Sequence, residues 1–183
     1  MASPNIAQLR PLRRAEYDQL VALGAFQDER IELLDGELVR LSPIGPSHAE
    51  TVARLCEYLL PALSGRARVF VQAAFAAGDS SEPQPDLAIV PLGNYRAEHP
   101  ARAYLLIEVS ESSLAQDRGR KARLYAESCV PEYWIFNLVE SVVEVHTEPL
   151  DGAYQRVTRH APGAVIAPLA FPDLALRVDD FLT

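Results

Sequence analysis

The chain has 183 residues, 49% of them apolar and 23% charged, with a formal net charge of −8. That length suits one well-buried core and would cramp two full domains. The acidic balance excludes a protein that coats nucleic acid by charge alone, though not an enzyme that grips a phosphodiester locally.

The first ten residues read as a loose arm. The start, MASPNIAQLRPLRR, has no apolar signal core, and no run anywhere is long enough to span a bilayer. A cytoplasmic protein with no membrane partner is expected. A short helix follows, roughly Arg14 to Leu23, with a break near Gly24. RIELLDGELVRL then predicts two strands around Asp35-Gly36, because Asp-Gly between apolar alternations tolerates the positive φ of a tight hairpin turn. SPIGPSHAE leads into a helix, with Ser47 and Glu50 spaced as a capping box. Val52, Leu55, Cys56, Leu59 and Leu63 form its apolar stripe, and Pro61 should end or kink it.

RVFVQAAFAA, residues 68 to 77, reads as a strand, and Asp86 to Val90 as another. AYLLIEVS, residues 103 to 110, is apolar on both faces, as in a central strand of a covered sheet. A helix is expected from about Leu114 to Ser128, then strands in VPEYWIFNL, SVVEVHT and YQRVTR. The proline-interrupted remainder should pack on the edge of the body. Cys56 and Cys129 lack ligand spacing and read as buried free thiols, in keeping with a reducing cytoplasm. Trp134 reads as core or interface.

Alternation along 103–110 sets Tyr104, Leu106, Glu108 and Ser110 on one face and Leu105, Ile107 and Val109 on the other. A carboxylate in such a strand is costly unless paired, protonated or bound to a cation. Asp86 opens the preceding strand. If the two strands pair through the 91–102 loop, both acids reach one end of the sheet, where oxygen ligands and water suit Mg²⁺. Lys121 is the only lysine in the chain. At about 100° per residue it shares a helix face with Leu114, Asp117, Arg118, Leu124, Tyr125 and Ser128, so it should point at the strands, where Asp117 could hold it. An inward ammonium beside metal-bound water could orient or deprotonate that water, or offset charge on a reacting phosphate. The stretch RGRKAR, residues 118 to 123, is either a solvated helix face or a basic patch.

The ordered set of PD, a hydrophobic strand ending in EVS, and a helix carrying a lysine resembles the PD-(D/E)XK nuclease superfamily. LLIEVSESSLAQDRGRKARLYAESCVPEYWIF and the hairpin IELLDGELVRLSPIGPSH are similar to a bacterial restriction-endonuclease-like family. The likeness covers about residues 15–147. It implies an α/β (α+β) restriction-endonuclease-like core: a central mixed sheet flanked by helices, with an N-terminal helix and hairpin. The chain would be one domain, 1–183, with 148–183 as an edge extension. The resemblance further implies phosphodiester hydrolysis, with DNA as substrate, a Mg²⁺ requirement with Mn²⁺ as substitute, and a homodimer.

By that resemblance Asp86 matches the motif aspartate and Glu108 its second acid, both binding metal. The motif lysine would fall at Ser110, so its role passes to Lys121, relocation onto the next helix being a known variation. Glu32 is then either a third acid at the metal or an outward strand carboxylate. His48 is either a phosphate or metal-water contact or a packed helix histidine. A competing reading keeps the fold without chemistry: Asp86 as a cap, Glu108 in a salt bridge with Lys121, and the protein a silent binding or assembly module.

Overall fold

The computed structural model describes residues 10–182. Its centre is a six-stranded mixed sheet in the order β3-β4-β5-β6-β7-β8. The strands are β3 (Arg68–Val71), β4 (Leu87–Val90), β5 (Leu105–Ser110), β6 (Glu132–Asn137), β7 (Val142–Leu150) and β8 (Ala153–His160). All neighbours pair antiparallel except β5 and β6, which are parallel. A parallel neighbour needs a crossover, and residues 114–127 supply it as three continuous helical pieces. These are α3 (Leu114–Gln116), a π turn (Asp117–Lys121) and α4 (Ala122–Glu127).

Both faces of β5 are buried, for different reasons. Leu105, Ile107 and Val109 pack against α2 (Pro46–Ala62) through Val52, Leu55 and Leu59, and against its C-cap Leu63. Leu106 packs with Tyr125, Tyr133 and Ile135 under the crossover. Tyr104 departs from the expected alternation. It lies just before the strand and joins the α2 side, edge-on to Phe171 at 5.5 Å.

Ahead of the sheet, α1 (Arg14–Ala22) leads to a hairpin of β1 (Ile31–Leu34) and β2 (Glu37–Arg40). Its turn is the predicted one, with Asp35 at φ 50° and Gly36 at φ 78°. Gly36 is needed twice over: a Cβ there would also sit 2.3 Å from Pro11.

Several local expectations are corrected. Ser47 does not cap α2, because the helix starts earlier, with Gly45 as N-cap and Pro46 at the first helical position, where a missing N–H costs nothing. Pro61 does end α2 as expected: it sits inside the last turn, and the helix stops one residue later at Ala62. The strand expected over 68–77 ends at Val71, since Gln72 takes φ 47° and its N–H turns to the Asp86 carbonyl at 2.9 Å. Cys129 is exposed, following the end of α4 at φ 56°.

The tail does more than border the sheet. A short pair, β9 (Val165–Ile166) and β10 (Leu176–Arg177), leads to a 3-10 turn at Val178–Asp180. Phe171, Leu174, Leu176, Val178 and Phe181 belong to the same apolar cluster as α2 and β5. Prolines stop regular structure here without stopping burial. Among the described residues no helix is long and apolar enough to cross a membrane.

Candidate active site

Continuing the β4–β5 register by one step, from Leu87 opposite Ile107, sets Asp86 opposite Glu108. Directly opposed residues on an antiparallel pair share a face, so the two acids face the same region at the end of the sheet. Together with His48 and Lys121 they line a cavity of about 280 Å³, with Arg30 and Arg40 also on its wall.

Asp86 is held from three directions. His48, in the first turns of α2, places Nε2 3.0 Å from Oδ2. The Val109 amide donates to the same oxygen at 2.8 Å, and Gln72 Nε2 donates to Oδ1 at 3.1 Å. Burial pushes the Asp86 pKa up, but His48, the Val109 amide and Gln72 outweigh it, and the net direction is down. Asp86 is therefore a carboxylate at neutral pH.

Glu108 is 4% exposed. Its Oε1 accepts from Lys121 Nζ at 2.9 Å and from the Tyr125 phenol at 2.7 Å. Its Oε2 accepts from no described residue. Burial raises the Glu108 pKa; Lys121 opposes this, and Asp117, Asp86 and Glu32 add to it. Burial would lower the Lys121 pKa, but Glu108, Glu32 and Asp117 raise it further than burial depresses it. Lys121 is thus an ammonium, not a free amine. Of the three roles the sequence leaves open, orienting water and offsetting phosphate charge fit this state, and abstracting a proton does not.

Behind the cavity wall lies a second row. Glu32 is fully buried rather than outward, because β1 is covered on both sides. Its Oε2 is 3.4 Å from Lys121 Nζ and accepts from the Gln84 amide at 3.1 Å; its Oε1 accepts from Gln116 Nε2 at 2.9 Å. Asp117 lies 3.9 Å from Lys121 and accepts from both Ser110 and Ser113 hydroxyls at 2.6 Å. Ser110, which stands where the motif would place its lysine, therefore anchors Asp117.

The π turn explains how the helix serves this row. Its wide hydrogen bond runs from the Ala122 amide to the Asp117 carbonyl, which also accepts from Tyr133 at 3.2 Å. Asp117 and Lys121 both turn inward. Arg118, placed on the buried face by a regular wheel, lies exposed instead and pairs with Glu140 at 2.8 Å and with Glu144. Such turns occur often at functional sites. The basic stretch around Lys121 is largely neutralised: Arg120 and Arg123 both bind Asp35, at 2.8 and 2.6 Å.

Whether a divalent cation fits can be judged from the donors. Among the described residues no three His, Cys, Asp or Glu side chains form a ready cage. Mg²⁺ does not need one; it is commonly held by one or two carboxylates with waters and substrate phosphate completing the shell. Asp86 and Glu108 offer oxygen donors on the cavity wall. Three carboxylates (Glu32, Glu108 and Asp117) surround the one ammonium, with Asp86 beside them, and burial together with these neighbouring acids raises the Glu108 pKa. A cation would relieve that excess, so the residues fit.

Sequence reasoning misses Tyr125 as a partner of Glu108, and Gln72, Gln84 and Gln116 as the amides that fix the acids. Tyr125 reads as helix packing, and the glutamines lie in loops or at helix starts where no periodicity marks them.

A central six-stranded mixed sheet flanked by helices, with a helical crossover between its parallel strands, is a restriction-endonuclease-like fold. The chain belongs to the Uma2 family, described as "Putative restriction endonuclease", whose family model matches residues 14–179. It is also similar to a crystal structure from Anabaena variabilis ATCC 29413, titled as a putative nuclease belonging to DUF820. That match has a TM-score of 0.73 at 17% identity and covers 93% of this chain and 97% of that one, a likeness of fold. No curated protein matches the chain.

Proposed function

We propose that this protein is a Mg²⁺-dependent nuclease that hydrolyses phosphodiester bonds in DNA, with Mn²⁺ able to substitute. The observation that carries the reading is the 2.9 Å contact between Lys121 Nζ and Glu108 Oε1 beside Asp86 in one cavity. It restores a lysine to the second acid although Ser110 stands where the motif would have one. Family membership supports the same reading.

In this mechanism Asp86 and Glu108 would hold the cation, which would supply Lewis-acid polarisation and charge neutralisation. His48, Gln72 and the Val109 amide fix the Asp86 carboxylate. Tyr125 and Lys121 occupy one oxygen of Glu108 and leave the other facing the cavity. The Lys121 ammonium orients the attacking water or offsets charge on the phosphate. Glu32 and Asp117 keep that ammonium charged and in place.

The test is nicking of supercoiled plasmid with Mg²⁺ or Mn²⁺, with single-stranded DNA and RNA in parallel. Wild-type activity lost in Asp86→Asn and Glu108→Gln supports the reading. A folded, metal-binding protein that cleaves none of these substrates favours the silent binding module instead. We further propose a cytoplasmic homodimer. The free thiols Cys56 and Cys129 suit a reducing compartment. Leu150, at the end of β7, and Val157, on the edge strand β8, are each at least half exposed and support self-association. A monomer in sedimentation at micromolar concentration would remove the dimer from the reading.

A further inference from the structure

We infer that a groove on the edge of the sheet, away from the catalytic cavity, is a phosphate-binding subsite for the DNA backbone. It is lined by Arg68, Phe70, Gly93, Asn94, Tyr95 and Arg96. The proposal rests on the nuclease reading for its ligand, but not for its geometry.

The conspicuous basic stretch in the sequence is spent on internal pairs: Arg118, Arg120 and Arg123 all hold carboxylates, and Lys121 is buried. By contrast, neither Arg68 nor Arg96 has a carboxylate partner among the described residues. Both are exposed, and they come from separate parts of the chain, the start of β3 and the β4–β5 loop. Two uncompensated guanidiniums meeting in one groove of a chain with charge −8 make a local anion site.

The groove is built, not merely crowded. Tyr95 packs edge-on to Phe70 at 5.5 Å and donates its hydroxyl to the Pro91 carbonyl at 2.9 Å. Gly93 lies so near the Tyr95 ring that an added Cβ would stand 3.2 Å from it. The Arg96 amide donates to Asn94 Oδ1 at 3.1 Å, which leaves the Asn94 amide nitrogen as a further donor.

Position agrees with function. Arg68 opposes Val90, and Phe70 opposes Ala88, and the same face of that strand runs on to Asp86. At about 3.3 Å per residue, Val90, which stands opposite Arg68, is about 13 Å along the chain from Asp86. That span is well within one duplex turn, about 34 Å of helix axis, so one bound duplex reaches both places. A backbone whose cleaved bond lies in the cavity can place another phosphate between Arg68 and Arg96.

The experiment measures anisotropy of a labelled 20-base-pair duplex (about two turns) in EDTA across a salt series, so that binding is read without turnover. Arg68→Gln/Arg96→Gln is compared with wild type and with Arg156→Gln, an exposed arginine elsewhere that changes charge in the same sense. The double variant should bind about tenfold or more weakly. Its slope of log K against log salt should fall by about two, since each phosphate no longer neutralised accounts for about 0.9. Arg156→Gln should bind as wild type does. Equal losses in both variants, no loss in the double variant, or no wild-type binding would each overturn the subsite. Binding that depends on Arg68 and Arg96 in a protein that cleaves nothing with Mg²⁺ would sustain the groove and sink the nuclease reading. Should the double variant melt early, Arg96→Gln alone, on the loop, should show half the change in slope; no change in slope there overturns the subsite.

Discussion

Tyr125 donates its phenol to Glu108 at 2.7 Å, and to the same oxygen that Lys121 reaches. The two residues lie 17 positions apart, on the crossover helix and the central strand. One carboxylate oxygen is thereby committed to the protein, and the other is left to the cavity. Tyr125→Phe removes the donor and keeps the ring. It should cost about 1 kcal/mol of stability and weaken Mn²⁺ binding by about tenfold or more, as loss of a ligand's hydrogen-bond partner commonly does. Calorimetric titration of both proteins checks this; equal affinities would make Tyr125 a packing residue.

Cation binding should be visible as stability. At about ten times the dissociation constant, linkage contributes about 1.4 kcal/mol, a melting shift of about 3–6 °C for a chain of this size. Glu108→Gln should abolish the shift. It should also melt no lower than wild type without metal, because it removes one of four crowded carboxylates. No shift in wild type at several millimolar Mn²⁺ would count against the enzyme.

Lys121 separates chemistry from structure. Lys121→Ala removes the ammonium from among Glu32, Glu108 and Asp117, and breaking such a buried set costs about 3–5 kcal/mol. The melting temperature should fall by about 6–20 °C, with Mn²⁺ restoring part of it. Lys121→Arg keeps the charge but not the compact point donor. Cleavage by both variants, measured below their melting temperatures, should fall about 10²-fold or more. A fully active Lys121→Arg would reduce Lys121 to a charge balance.

A second buried acid gives the protein a pH signature remote from the cavity. Burial and the neighbouring Asp18 raise Glu82 to about 7, against the weaker pull of Arg14. The folded state therefore holds a proton that the unfolded chain releases near its ordinary value of 4.5. The associated stability is complete below about 4.5 and is lost as pH rises through about 7, at most about 3 kcal/mol. Glu82→Gln should flatten the melting profile across that window and raise the melting temperature at pH 7.5. A parallel profile for wild type and variant would show that Glu82 carries no such linkage.

Much of this site can be read from residue pattern because its elements obey local rules. Glu108 interrupts an apolar strand, and such a charge needs a partner. Asp-Gly marks its hairpin, and a lone lysine marks its helix. What escapes depends on contacts that only the folded chain creates. Glu32 stays open between an outward carboxylate and a third acid at the metal, because alternation cannot tell that β1 is covered on both sides. Gln72 reaches Asp86 through a positive φ that no propensity announces. Ser47 and Glu50 match a capping box, yet Gly45-Pro46 starts the helix first. The tail's prolines hide a share of the core, because burial there follows no period.

The π turn also makes the spacing between Glu108 and Lys121 a length standard. An ordinary helix advances about 100° per residue, so deleting one residue from Asp117–Lys121 would rephase everything after it. Gly119 is the natural candidate, since it is exposed with nothing packed near it. Without it the turn could close to the regular pattern, and the helix would survive as a helix while Lys121 and Tyr125 no longer faced Glu108 together. In this family, sequence relatives that lack one residue at this point would keep the architecture and lose the alignment of ammonium, phenol and carboxylate.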